Sequence, residues 1–121
     1  MQYDHIGIPT TKKHDGEIWI EQSRVWVTDA HLNPFGIEWL RYEPDSPVTG
    51  PLRERPHLSF RVDSAEAVKE GGKGLKVLLE PFDAGFCIAG FYEPEEGIAL
   101  ELVWYYDEMT NWASRTKPAP K

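Results

Sequence analysis

Residues 56–62 have the sequence Pro-His-Leu-Ser-Phe-Arg-Val, in which polar and apolar side chains alternate. A period of two is typical of a β-strand that places one face on a core. His57, Ser59 and Arg61 would share one face, which must lie against water or a polar cavity. The intervening apolar residues would share the other face and should pack on a helix. This segment therefore predicts a sheet with a polar side at His57.

A later segment, residues 98–105, has the sequence Ile-Ala-Leu-Glu-Leu-Val-Trp-Tyr and also reads as a strand. Its only charged residue is Glu101, which an apolar run would carry into the protein interior. An unpaired buried carboxylate costs several kcal/mol, so Glu101 needs a cationic partner, and a metal ion is one. The face opposite Glu101, formed by Leu100, Leu102 and Trp104, is predicted to be core.

The first half of the chain has the same order of histidine and glutamate. His5 lies in a strand-like segment over 3–8, and Glu38 lies in another over 37–42. The two residues are 33 positions apart, whereas His57 and Glu101 are 44 positions apart. The extra 11 residues of the second half equal about one average helix.

A helix is predicted over 65–71, where Asp63 or Ser64 can cap its first turn. The first half has only a loop at 9–16 in the corresponding place. The chain is therefore predicted to contain two copies of one strand–helix–three-strand unit, the first without its helix. Further strands are predicted over three segments, 17–29, 75–80 and 86–92.

The chain is predicted to form one domain over its 121 residues, a length that can bury a substantial core. The proline-rich segment 44–56 is the natural linker between the halves, and the polar tail is expected to fray. The predicted parts are module one over 1–43, the linker over 44–56, module two over 57–106 and the tail over 107–121.

Composition excludes several classes of function. The formal net charge is −7 and no basic stripe is present, which argues against a nucleic-acid binder. Cys87 is the only cysteine, so neither an intrachain disulfide nor a thiolate metal cluster can form. No apolar run reaches the ~18 residues of a membrane span, and the first residues read as a strand without the apolar core of a signal peptide. A cytoplasmic location is the simplest expectation.

Two imidazoles and two carboxylates, from His5, Glu38, His57 and Glu101, can close around one divalent metal ion. A single glutamate on a strand is usually solvated, but four such residues at matched places in a repeat favour a metal pocket. Small neighbours on the same strand faces would leave room for a ligand; these are Gly7, Gly36 and Ala99. His14 and His31 are expected at the surface, with His31 a candidate for the mouth of the pocket.

Three segments carry a resemblance to a known group: 4–8 (Asp-His-Ile-Gly-Ile), 56–63 and 97–103 (Gly-Ile-Ala-Leu-Glu-Leu-Val). They resemble the glyoxalase / bleomycin-resistance / extradiol dioxygenase group, the vicinal oxygen chelate superfamily. The resemblance implies an α+β fold, in which two βαβββ-type modules form a half-open β-barrel around a central pocket. It also implies that His5, Glu38, His57 and Glu101 hold one metal ion, and that a homodimer is a candidate assembly.

The leading hypothesis is a metal-dependent isomerase or lyase that binds a small substrate through adjacent oxygens and moves a proton next to a carbonyl. Zn, Ni, Co, Mn and Fe would all suit such a site. Glu101 or Glu38 would shuttle the proton. Ser59 and Arg61 are candidates for binding substrate oxygens, and a structural salt bridge is the other candidate role of Arg61.

Two other hypotheses remain open. An extradiol-type Fe(II) dioxygenase would use His5, His57 and Glu101 as a facial triad. A metal-free protein that binds or sequesters small molecules would use aromatic residues as a cavity wall. The predicted wall residues are Trp19, Trp26, Phe35 and Trp39.

Overall fold

Eight strands of the computed structural model form one curved sheet that curls into a half-open barrel. The structure describes residues 1–107 and Trp112. The strands are β1 (Gln2–Pro9), β2 (Ile18–Ile20), β3 (Val25–Val27), β4 (Ile37–Tyr42), β5 (His57–Arg61), β6 (Lys76–Asp83), β7 (Cys87–Glu93) and β8 (Ala99–Tyr105). Two short helices are α1 (Pro51–Glu54) and α2 (Ala65–Glu70), and a 3-10 turn spans Ala30–Leu32. The predicted α+β fold class is confirmed.

The order of the strands shows that the sheet is a duplication. It runs β2-β3-β4-β1-β5-β8-β7-β6, so each half has the first strand of its module at the centre of the sheet. In each module the first strand pairs in parallel with the last one, β1 with β4 and β5 with β8. The two central strands, β1 and β5, run antiparallel, which relates the modules by an approximate twofold axis.

The helix that distinguishes the modules is where the sequence predicts it. Ser64 caps α2, and its hydroxyl accepts a hydrogen bond from the backbone N–H of Ala67 at 3.2 Å. In module one, residues 10–17 connect β1 to β2 without a helix. The linker 44–56 is not wholly irregular, because Pro51 begins the single turn of α1, a position where its missing N–H costs no hydrogen bond.

One predicted strand is wrong in extent. Residues 17–29 form two short antiparallel strands, β2 and β3, and not one long strand. The chain reverses at residues 21–24, where Arg24 adopts a left-handed backbone with φ of 45°. The β-branched and aromatic residues on both sides of the turn mask it in the sequence.

The hydrophobic core has two parts, one on each side of the sheet. The larger part fills the concave side and includes Val27, Leu40 and Val103. The smaller part lies under α2, where Val68 and Leu102 are fully buried. Both faces of β8 are therefore buried, since the sheet curls around one of them and α2 covers the other.

The outer face of β5 departs from its prediction. Leu58 was expected to pack on a helix but is 40% exposed, because α2 packs against β7 and β8. Phe60 and Val62 do reach the cluster under α2.

Among the residues that the structure describes, no helix is long and apolar enough to cross a membrane. The predicted fraying of the tail 107–121 lies outside the described residues, apart from Asp107 and Trp112. Trp112 is 1% exposed and packs into the larger core.

Candidate metal centre

The four predicted ligands converge inside the half-barrel and are all buried. One ligand atom from each lies within 4.8 Å of the others. Glu101 Oε1 is 3.1 Å from His5 Nε2 and 3.2 Å from His57 Nε2. Glu38 Oε1 is 3.4 Å from both nitrogens. The structure thus assembles two imidazoles and two carboxylates at one point.

The spacing and direction of these atoms fit a metal ion. Ligand atoms about 2.1 Å from one ion, at angles between octahedral and tetrahedral, are about 3.0–3.4 Å apart. His5 Nε2, His57 Nε2 and Glu101 Oε1 are buried, yet none makes a hydrogen bond within the described part of the chain. Buried polar groups are rarely left unpaired, so atoms this close that do not bond to one another point at a common centre.

The duplication explains why four residues so far apart in sequence meet. Glu38 pairs in register with Gly7, two residues after His5. Glu101 pairs in register with Ser59, two residues after His57. Across the central strands, His5 lies opposite Ser59 and Gly7 lies opposite His57. Each module therefore supplies one histidine and one glutamate from equivalent positions.

Gly7 makes room for the His57 ring. A Cβ atom on residue 7 would lie 2.0 Å from His57 Cε1 and 2.5 Å from Nε2, far inside van der Waals contact. The ring of Phe91 packs edge-on against His57, with centroids 5.2 Å apart. The imidazole is therefore held between a strand backbone and an aromatic ring.

His5 is oriented by its sequence neighbour Asp4. The His5 Nδ1–H donates to Asp4 Oδ2 at 2.6 Å, which leaves Nε2 as the free ligand atom. Neighbouring residues of a regular strand point to opposite faces, but the register between β1 and β5 shifts between Tyr3 and His5. A β-bulge of this kind redirects a side chain, and it lets Asp4 reach the ring of His5.

Asp4 is also the centre of a wider network. Its carboxylate accepts hydrogen bonds from Arg61 at 2.8 Å, from the Tyr105 hydroxyl at 2.5 Å and from His31 Nε2 at 3.1 Å. The ring of Trp112 packs on His5 and His31 at 5.5 Å and 5.3 Å between centroids. This network fixes His5 from the side opposite to the ligand atoms.

The electrostatics of the cluster favour positive charge at its centre. Burial lowers the pKa of His5, but Asp4, Glu101 and Glu38 together raise it well above its usual value. The pKa of His57 is raised as well, since Glu101 and Glu38 outweigh its burial. Burial alone would raise the pKa of Glu101, but His5 and His57 lower it to about 2. The carboxylates thus stabilise a cation between the imidazoles.

The pKa of Asp4 is lowered far below its usual range. Burial works against this, but the hydrogen bonds from His31, His5, Tyr105 and Arg61 more than compensate. Asp4 therefore remains a carboxylate, the form that accepts a hydrogen bond from the Nδ1–H of His5. Such a hydrogen bond makes the other nitrogen of an imidazole a stronger metal ligand.

A cavity of about 50 Å³ adjoins the cluster on the concave side of the sheet. Glu38 and Glu101 line it together with mostly aliphatic and aromatic side chains, and Ser23 and Cys87 complete the lining. The ligand cluster is therefore accessible to a small molecule from inside the half-barrel.

Comparison with known proteins places this architecture. No family model matches the sequence, and no curated protein matches it. Among solved structures, hypothetical protein BH1468 from Bacillus halodurans C-125 matches with a TM-score of 0.64 at 21% identity, over 88% of this chain and 96% of that one. A methylmalonyl-CoA epimerase in complex with methylmalonyl-CoA and NH4+ matches with a TM-score of 0.60 at 20% identity, over 96% and 98% of the two chains.

A second methylmalonyl-CoA epimerase, from Mycobacterium tuberculosis, matches with a TM-score of 0.60 at 18% identity, over 89% of this chain and 90% of that one. The chain shares the α+β fold of these structures, the fold of glyoxalase-like proteins. The resemblance in the sequence is confirmed at the level of the fold, which this chain shares with both epimerases.

Within this glyoxalase-like fold, the two predicted substrate-binding residues lie beside the ligands and not on the cavity wall. Ser59 is fully buried between His5 and Glu101, and its hydroxyl has no partner within the described residues. Arg61 forms an ion pair with Asp4 and its guanidinium lies 5.3 Å from the centroid of the Tyr105 ring. The salt bridge that the sequence left open for Arg61 is present, and substrate binding by either residue stays a prediction.

The predicted aromatic wall is wrong, because none of its four residues lines the cavity. Phe35 is 77% exposed, and Trp39 stacks on His14 with centroids 4.9 Å apart. The aromatic residues that do line the cavity are Tyr42, Phe82, Phe86 and Phe91. They lie on or next to strands, and the curl of the sheet decides which face of each strand points into the cavity. The sequence alone therefore does not identify them.

Sequence reasoning missed Asp4, Tyr105 and Trp112 as supports of His5. The dipeptide Asp4-His5 was visible in the sequence, but strand periodicity assigns its two side chains to opposite faces. His31, a candidate for the pocket mouth, is partly exposed and bonds to Asp4. An acidic residue directly next to a predicted histidine ligand is the signal that could have identified the network.

Asp4→Asn should lower the affinity of the protein for a divalent metal ion without unfolding the protein. The amide keeps the size of the side chain but loses the charge that orients His5, and such orienting groups contribute about 10–100-fold to metal affinity. Competition with a fluorescent chelator measures the change. Asp45→Asn is the matched control, since Asp45 also pairs with an arginine, Arg24 at 2.9 Å, but at the surface. Equal affinities of both variants would contradict a role of Asp4 in the centre.

Proposed function

We propose that this protein is a metal-dependent enzyme of the glyoxalase type, an isomerase or lyase that transfers a proton next to a carbonyl group of a small substrate. The observation that carries the proposal is the convergence of four ligand atoms, from equivalent positions of two modules, beside a cavity. The epimerases that share the fold support the reaction class.

His5, Glu38, His57 and Glu101 would hold the ion, and their chemistry suits Zn, Ni, Co, Mn or Fe. When bound, the ion would act as a Lewis acid for a substrate that chelates it through adjacent oxygens, and would stabilise negative charge on them. An ion that accepts more than these four protein ligands would have positions left for the oxygens of a substrate.

The carboxylates of Glu38 and Glu101 are the groups proposed to move the proton. Both line the cavity, so each lies within reach of a molecule held there. Glu38 Oε1 is more distant from the imidazoles than Glu101 Oε1, 3.4 Å against 3.1–3.2 Å. A less tightly held carboxylate is freer to turn toward a substrate, and a general base must lie at hydrogen-bond distance from the proton it removes.

The extradiol dioxygenase requires only two histidines and one carboxylate. The position of Glu38 in the cluster, at the same strand register as Glu101, favours the four-ligand isomerase or lyase. Without a metal ion, three of the facing ligand atoms, His5 Nε2, His57 Nε2 and Glu101 Oε1, would be buried with no hydrogen bond among the described residues, which is unfavourable.

Proton exchange in D2O tests the proposed reaction. Metal-loaded protein should catalyse the exchange of the α-proton of small α-hydroxy ketones and 2-oxo acids for deuterium. The loss of the α-proton signal in proton NMR spectra measures this exchange. Chelator-treated protein and Glu38→Gln should both lose the exchange, and surface variant Glu66→Gln should retain it. Oxygen uptake with catechol on the Fe(II)-loaded protein, without proton exchange, would instead identify a dioxygenase. Failure to bind any divalent ion would leave the metal-free binding protein.

A further inference from the structure

The cavity beside the ligand cluster has a size and a polarity that limit what can bind there. We infer that the metal centre acts on a compact substrate whose chelating oxygens are joined to a short, uncharged, apolar group of about three to five heavy atoms. This inference rests on the proposed function and adds the class of substrate to it.

The polarity of the wall is the first support. Beyond Glu38 and Glu101, the wall is mostly apolar and includes Val27, Leu40, Leu79 and Phe91. Two hydroxyl-bearing residues, Ser23 and Tyr42, also line it, and the Tyr42 hydroxyl donates to the backbone carbonyl of Leu52. Burying an apolar group against such a wall is favourable by about 25 cal/mol per Å², whereas a polar group would lose its hydration without a replacement. The wall therefore selects for hydrocarbon.

The size of the space is the second support. The volume open to the centre of a water-sized sphere is about 50 Å³ in this cavity. One water-sized group requires about 10–15 Å³ of that volume. A side group of three to five heavy atoms is the corresponding limit. A bulkier group, such as a fused ring system, would not fit between the ligand cluster and the core residues that line this space.

The charge balance is the third support. Among the residues that the structure describes, no lysine, arginine or histidine lines the cavity. Two arginines of the same half-barrel have partners of their own: Arg61 pairs with Asp4, and Arg53 donates to the backbone carbonyls of Glu43, Ser46 and Val48. Two carboxylates and a divalent ion already sum to zero charge, so a further anionic group of a substrate would be buried without a counter-ion.

Hydroxamates test the inference independently of catalysis, because R–CO–NHOH binds divalent ions through two adjacent oxygens whatever its R group. Isothermal titration calorimetry on the zinc-loaded protein would compare three compounds: acetohydroxamate, 3-methylbutanohydroxamate and the monohydroxamate of succinate. Each buried methylene contributes about fourfold to affinity. We expect 3-methylbutanohydroxamate to bind at least about 10-fold more tightly than both others.

A cavity-filling variant locates the effect. Ala89 is buried and lines the cavity, so Ala89→Leu should bring the affinity ratio of 3-methylbutanohydroxamate to acetohydroxamate close to one. Glu66→Leu adds the same side chain on the exposed surface of α2 and should keep the ratio of the wild type. If Ala89→Leu does not fold, the three-compound series on the wild type decides alone.

The outcomes separate the inference from the proposed function. If the succinate compound bound as tightly as 3-methylbutanohydroxamate or more tightly, the inference of an apolar, uncharged substrate group would be wrong. The metal centre would still be supported, because the hydroxamate binds to it. Absence of binding by every hydroxamate, or of zinc itself, would overturn the proposed function together with the inference.

Discussion

Glu101→Gln should lower the affinity of the protein for a divalent metal ion by about 100-fold or more. Groups that only orient a ligand contribute about 10–100-fold, and Glu101 lies at the ligand centre, 3.1 Å and 3.2 Å from the two imidazole nitrogens. The amide keeps the shape of the side chain but removes the negative charge that stabilises a cation between His5 and His57. The loss of metal affinity should therefore come from the missing charge and not from a change in side-chain packing.

Metal content of protein purified without a metal-binding tag measures this loss directly. Wild type should contain close to one divalent ion per chain, and Glu101→Gln should contain little. Urea unfolding gives a second readout, because an ion that binds only the folded state raises the free energy of unfolding of wild type. Glu66→Gln, on the exposed face of α2, should behave as wild type. Undiminished metal content in Glu101→Gln would contradict the assignment of the centre.

Gly7→Ala should both destabilise the protein and disable the metal centre. In a strand, alanine is ordinarily more favourable than glycine by roughly 0.5–1 kcal/mol. Here its Cβ would lie 2.0 Å from His57 Cε1, so the ring or the strand must move. Forcing an extra methyl group into a packed site costs about 1–3 kcal/mol, which reverses the usual sign of the substitution.

Gly90→Ala is the matched control for this crowding. Gly90 also lies in a strand, and its Cβ would lie 2.9 Å from the Tyr92 hydroxyl and 3.2 Å from Val68, on the side of the sheet covered by α2. Urea unfolding should show a loss of stability for both variants. Chelator competition should show weakened metal binding only for Gly7→Ala. If Gly7→Ala bound metal as tightly as wild type, the His57 ring could not be the ligand.

Much of the fold could be read from the sequence, because strand periodicity and helix capping are local. The strands at 37–42 and 57–62, the helix at 65–71 and its absence from module one all emerge from neighbouring residues. The turn at 21–24 was not predicted, because its four polar residues, Glu-Gln-Ser-Arg, contain no glycine or proline and its reversal depends on a left-handed Arg24. Its flanking residues favour a strand on both sides.

The four candidate ligands could be predicted from the sequence, but the residues that support them and the residues that line the cavity could not. The repeat of histidine and glutamate singled out the four residues that the structure brings together. It could not show that Asp4 supports His5, because this depends on the bulge between β1 and β5. Nor could it show which residues line the cavity.

The sequence by itself determined the duplicated module, the missing first helix and the identity of the four converging side chains. The reason is that a two-residue period and a matched spacing are properties of the chain alone. Tertiary structure decided the bulge at Asp4, the ion pair of Arg61 and the apolar cavity beside Glu38 and Glu101. These depend on which strands pair, in which register, and how far the sheet curls, and no stretch of the sequence encodes them locally.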